Sequence, residues 1–194
     1  MNNDHVKLDV DAKRSPRSRS QTDIPISPED LMGQLDIWKI KYKMFKHAPL
    51  RTVEESKTVQ HLFLKPEEGG GHIKNLYLRD HKKNNYLIVL EQDREIDLKK
   101  LKNIIGASRL SFGSSERLME NLGVYPGAVT PFSMVTGVRN SVSLFIDTHL
   151  KFCSKVYAHP LVNNKTLELS IEDLELFFKK ISVIPNWIDF SEVE

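Results

Sequence analysis

Residues 86–90 read Tyr-Leu-Ile-Val-Leu, the longest unbroken apolar run in the chain. Successive side chains of a strand point to opposite faces, so a run without polar alternation predicts a central strand covered on both sides. Working back from it, the polar stretch 80–85 reads as a turn and 73–79 as the preceding strand of a hairpin. The stretch 66–71, Pro-Glu-Glu-Gly-Gly-Gly, reads as a flexible loop, and 61–64 as one more short strand. Forward of the run, Asp97 caps a helix with Leu98, Leu101, Ile104 and Ile105 inward and Gly106 as its stop. Ser114 or Ser115 opens another, with Leu118, Met119 and Leu122 inward and Gly123 as its stop.

The flanks follow the same logic. Ser27 caps a helix that begins with Pro28, and Leu31, Leu35 and Trp38 form its apolar stripe. A short strand is expected at 42–45, then a helix over 52–59 capped by Thr52. Beyond the loop 125–131, strands are expected at 142–146, 155–158 and 166–169, and Ser170 caps a helix with Leu174, Phe177, Phe178 and Ile181 inward. Residues 187–190 read as a closing strand. With no internal repeat and no strict strand–helix alternation, these elements predict one α/β (α+β) domain over 27–194, a mixed central sheet flanked by helices. Residues 1–26 contain no aromatic side chain and no sustained apolar period, and read as a mobile N-terminal extension.

Composition removes several classes. Among 194 residues, Lys and Arg number 28 and Asp and Glu 26, a net charge of +2. That near-balance argues against a strongly basic nucleic-acid coat protein while leaving room for a small RNA-facing patch. Cys153 is the only cysteine, so there is no disulfide framework, no Cys-based zinc site and no CxxC pair. No apolar run approaches the ~20 residues of a membrane span, and the first 27 residues lack the apolar core of a secretory signal. The expectation is a soluble, cytoplasmic protein with no metal and no cofactor. Motifs of serine hydrolases, P-loop proteins and zinc proteases are absent, and His47, His61, His72 and His81 lack metal-ligand spacing.

Four features are candidates for chemistry. Lys74 shares a strand face with Leu76 and Leu78, as either a snorkelling side chain or a cation held in a cleft; Asn75 follows it. The stretch 123–132, with two glycines and two prolines, is either a plain connection or a rigid loop whose free N–H groups suit an anion or a carbonyl oxygen. His159, at a strand end, is either a structural hydrogen-bonder or a general acid/base, and His47 carries the same choice.

Five blocks taken together resemble one family in order: 72–80 (HIKNLYLRD), 86–90, 110–118 (LSFGSSERL), 122–132 (LGVYPGAVTPF) and 159–163 (HPLVN). The family is the YbaK/aminoacyl-tRNA synthetase-associated domain, and within it the free-standing prolyl-tRNA editing proteins; the likeness covers roughly residues 26–190. The resemblance implies hydrolysis, in trans, of the ester joining a wrong amino acid to tRNA(Pro). Lys74 matches the family's key lysine, Asn75 its neighbour, Gly127 through Pro131 its GxxxP loop (with Ala128, Val129 and Thr130 between) and His159 its late histidine. The Lys-Asn pair implies the alanine-removing branch, with cysteinyl-tRNA(Pro) deacylation or a non-catalytic binding module as alternatives. The family mechanism implies that the terminal 2′-hydroxyl assists water attack, with the acceptor end of tRNA(Pro) as partner and prolyl-tRNA synthetase or an elongation factor as further partners. Adjacency to these blocks makes Phe63, Leu64, Phe132 and Met134 the expected pocket walls.

Overall fold

The computed structural model describes residues 25–191; the predicted N-terminal extension lies, as far as residue 24, outside the described residues. The predicted capping residues all act. Ser27 accepts from the Asp30 amide at the start of α1 (Pro28–Ile37), and Thr52 from Glu55 at α2 (Val53–Lys57). Asp97 caps α3 (Leu98–Ile104), Ser114 caps α4 (Ser115–Leu122) and Ser170 caps α6 (Ile171–Lys180). Each such bond satisfies an amide that the first helical turn leaves open, worth about 1 kcal/mol. A short α5 (Met134–Gly137), in a stretch to which the sequence reading assigns no element, follows the 3₁₀ turn that starts at Pro131.

Eight strands form one mixed sheet: β1 (Lys43–Lys46), β2 (Gly70–Asp80), β3 (Asn85–Glu91), β4 (Leu110–Phe112), β5 (Ser143–Asp147), β6 (Lys155–Ala158), β7 (Lys165–Leu169) and β8 (Asn186–Ile188). The order is β1-β7-β6-β2-β3-β5-β8, with β4 attached to the far end of β2. The β2–β3 hairpin is antiparallel from Ile73 opposite Glu91 to Arg79 opposite Asn85. On its other side β2 runs parallel to β6, but only over Gly70, Gly71 and His72. That change of partner shapes the rest of the molecule.

β3 is the doubly covered strand its apolar run predicts. Leu87 and Val89 face the main core, which includes Leu31 and Leu35 of α1, Phe132, and Phe177 and Phe178 of α6. Ile88 and Leu90 face a second core with Leu78, Leu101, Leu110, Phe145 and Phe190.

Two readings need correction. Residues 61–64 do not form a strand: Gln60–Leu62 is a 3₁₀ turn, and Phe63 folds back onto Tyr157. Nor is 66–71 simply a flexible loop. Pro66–Glu68 is a second 3₁₀ turn, closed by the Lys65–Glu68 box, and Gly70 already belongs to β2. A Cβ on Gly70 would collide with the Leu64 carbonyl, so glycine is required there for close backbone packing.

Candidate functional site

A cleft opens where β2 parts from β6. Its cavity volume is about 50 Å³. Ser56 of α2, Val59, Gln60 and Phe63 cover it from above. His72, Ile73 and Asn75 of β2, Gln92 just after β3, and Tyr157 of β6 form its base. Leu50, His159 and Thr166 close one end. Topological partings of this kind expose strand ends to a ligand and are common sites for binding.

The base is stiff. Tyr157 stacks on Phe63 at 4.5 Å between ring centroids and on His72 at 5.1 Å, and Phe45 meets Phe63 edge-on at 5.1 Å. The Tyr157 hydroxyl accepts from the Leu64 amide (2.8 Å) and donates to Glu168 (3.1 Å). Burial, aided by the Glu168 charge, pushes this phenol up to about 12, so it stays a donor at neutral pH. His72 Nε2 donates to the Leu64 carbonyl at 2.8 Å.

At the closed end two histidines meet through a threonine. His159 Nδ1 bonds the Lys165 carbonyl at 2.8 Å. A carbonyl only accepts, so Nδ1 carries the hydrogen and Nε2 of the neutral ring keeps its lone pair. Burial holds His159 below the usual histidine range, opposed by its bond to the Lys165 carbonyl, which favours the charged ring. His47 Nδ1 bonds the Ala48 carbonyl at 2.8 Å, its Nε2 meets Thr166 Oγ1 at 2.9 Å, and that oxygen lies 3.4 Å from His159 Nδ1. The arrangement fixes the His159 ring in one orientation.

Of the residues expected from sequence, Asn75, His159 and Phe63 converge on this cleft. The side-chain oxygen of Asn75 is buried with no hydrogen-bond partner among the described residues. Lys74 sits between Ile73 and Asn75 but on the other face of β2, where its amine donates to the Arg94 carbonyl. Burial lowers its pKa, while Glu91, Asp93 and Glu95 oppose that shift. The turn carrying Arg94 is pinned by an ion pair from Arg94 Nε to the fully buried Asp147 (2.8 Å), and the same turn supplies Gln92 to the cleft.

The loop 127–131, expected as part of the site, contributes no residue to the cleft lining. Gly127 adopts φ +88° in a tight turn closed by the Ala128 amide and the Tyr125 carbonyl at 3.0 Å. Proline then glycine at the turn centre is the expected chemistry for that geometry. A Cβ on Gly127 would lie 3.3 Å from the Cα of Arg51, the neighbour of Leu50. Thr130 caps the following 3₁₀ turn through Phe132 and Ser133. No backbone–backbone hydrogen bond among the described residues uses the amides of Gly127, Val129 or Thr130. Phe132 and Met134, expected as walls, are instead buried in the main core, as is Ala128; Leu64 contributes backbone and not side chain. Gln92 and Thr166 carried no local signal in the sequence. Only long-range strand pairing, of β2 with β3 for Gln92 and of β6 with β7 for Thr166, brings them to the cleft.

The family model described as aminoacyl-tRNA editing domain matches residues 47–177. The chain belongs to that family. This editing domain is 38% identical over 150 residues to the prolyl-tRNA editing protein ProX of Acetoanaerobium sticklandii, covering 77% of this chain and 88% of that one. It is 33% identical over 167 residues to the prolyl-tRNA synthetase associated domain-containing protein 1 of Mus musculus, covering 83% and 95%. The fold matches a crystal structure of a proposed trans-editing enzyme for prolyl tRNA synthetase, with a TM-score of 0.61 over 84% of this chain and 94% of that one. At 20% identity that likeness speaks for the fold alone.

Proposed function

We propose that the editing domain hydrolyses the ester of mischarged tRNA(Pro), and that its preferred substrate is the alanyl ester. The observation that carries the proposal is the convergence of Asn75 and His159, far apart in sequence, onto one small cleft. Its remaining lining mixes apolar groups such as Leu50, Val59, Ile73 and Phe63 with polar ones such as Ser56, Gln60 and Gln92. An aminoacyl ester is already activated, so positioning and charge stabilisation are the main requirements. The α-ammonium of the amino acid offers only donors, and the unpartnered Asn75 oxygen is an acceptor for it. Water attacks the carbonyl carbon, the C–O bond to the ribose breaks, and the ribose oxygen leaves with a proton. His159, its Nδ1 committed, holds the water or the ribose with Nε2. The amides of the 127–131 loop, which enter no backbone–backbone bond among the described residues apart from that of Ala128, are the donors assigned to the carbonyl oxygen as it becomes an oxyanion; one such donor is worth about 3 kcal/mol in rate.

The exposed lysines Lys41, Lys43 and Lys46 beside the edge strand β1 offer a surface for the tRNA backbone, so binding weakens as salt rises. The partners are the acceptor end of tRNA(Pro) and, through it, prolyl-tRNA synthetase or an elongation factor. Initial rates on alanyl-, cysteinyl- and prolyl-tRNA(Pro) test the assignment. The alanyl ester is expected to be cleared fastest, with the prolyl ester spared by at least about tenfold because a ring overlaps walls that admit a methyl group. Faster clearing of the cysteinyl ester would overturn the alanine assignment, and clearing of none would overturn the hydrolysis.

A further inference from the structure

Gln92 is the least explained side chain of the cleft. It follows β3, is 4% exposed, and its backbone amide is already used in a 2.9 Å bond to the His72 carbonyl. The side chain lines the cleft, yet its Nε2 is buried without an acceptor among the described residues. A buried amide left unpaired opposes folding, and an apolar side chain of the same shape would avoid that cost. Asn75, on the same base, has the complementary deficit, an oxygen without a donor.

The two deficits match one substrate. An aminoacylated ribose presents an α-ammonium, which only donates, and two nearby acceptors, the ester carbonyl and the neighbouring hydroxyl. Asn75 suits the ammonium, and the carbonyl belongs to the loop amides in the reading above. The hydroxyl remains for the Gln92 N–H. We infer that Gln92 binds the free ribose hydroxyl beside the aminoacyl ester and so helps to select an aminoacylated nucleoside terminus. This inference rests on the deacylase reading and adds a binding residue to its site.

The probe is adenosine carrying alanine in amide linkage at the 3′ position, which cannot be hydrolysed, together with its 2′-deoxy counterpart. Calorimetric titration of the full chain is expected to show the hydroxyl compound bound about tenfold more tightly than the deoxy compound. In Gln92→Met that difference should vanish, with both compounds bound as the wild type binds the deoxy one, because a mutation and a substrate change that remove the same contact are not additive. Thermal unfolding of Gln92→Met should be no lower than wild type. A retained tenfold difference in Gln92→Met overturns the inference, as does a lowered melting temperature with the difference intact. Should Gln92→Met fail to fold, Gln92→Glu, which exchanges the donor for an acceptor, must lose the same difference. Wild type binding both compounds equally defeats the Gln92 assignment alone, whereas wild type binding neither defeats the deacylase reading with it.

Discussion

Lys74→Ala is expected to lower kcat/KM for alanyl-tRNA(Pro) by at least about 10²–10³-fold while the protein stays folded, the scale on which a positioned donor acts in an acyl-transfer site. An ammonium has three N–H groups, and the Arg94 carbonyl takes one. Two remain for a substrate oxygen that reaches the face of β2 opposite the cleft lining, where the amine lies. Glu91, Asp93 and Glu95 lie near enough to raise the pKa of this amine against the lowering effect of its burial. Surrounded by carboxylates, Lys74 is poorly suited to clamping phosphate, and a short-range donor role fits it better. The anchoring of its partner turn by Asp147 restricts where the amine can reach. Initial rates and a thermal melt of the same preparation check the expectation. Unchanged turnover in a folded Lys74→Ala variant would remove the lysine from the chemistry.

Phe132→Ala is expected to cost about 3–5 kcal/mol of stability, because it empties a site that the surrounding core cannot fully close. Phe132 has no exposed surface and meets Phe177 of α6 edge-on, with 5.0 Å between ring centroids. It follows Pro131 in the loop that the family resemblance assigns to the substrate, so its neighbours in sequence suggest a pocket wall and its neighbours in space a core anchor. Denaturant unfolding separates the two. A large fall in midpoint with KM unchanged in the folded fraction is the predicted outcome. A shifted KM with stability preserved would return Phe132 to the pocket.

Much of the fold was readable locally. Ser27, Thr52, Asp97, Ser114 and Ser170 sit where a helix must satisfy its first amides, and each is a capping residue in the structure. The run at 86–90 placed β3 between two cores because its side chains have no polar face to give to solvent. The reading failed where tertiary contacts outweighed local pattern. His61 through Leu64 contains the apolar residues of a strand, but Phe63 gains more by stacking on Tyr157, a residue far along the chain.

The site was legible in a similar, partial way. Asn75 and His159 stood out by residue type and by resemblance, and both reach the cleft. Phe132 and Met134 were placed by adjacency, which says nothing about which side of a loop faces the interior. Gln92 had no signal at all. A glutamine after a strand is ordinary until β2 leaves β6 for β3 and turns that position into the base of a cleft.

The central claim is that an aminoacylated nucleoside end occupies the parting between β2 and β6. The most direct test is an NMR titration of the labelled protein with the 3′-alanylamide of adenosine. The account predicts that the largest shift changes fall on Asn75, Gln92 and His159 and on the amides of Gly127, Val129 and Thr130. Changes confined to the apolar groove of Phe178, Val183, Ile184 and Trp187, with the cleft signals unmoved, would contradict it.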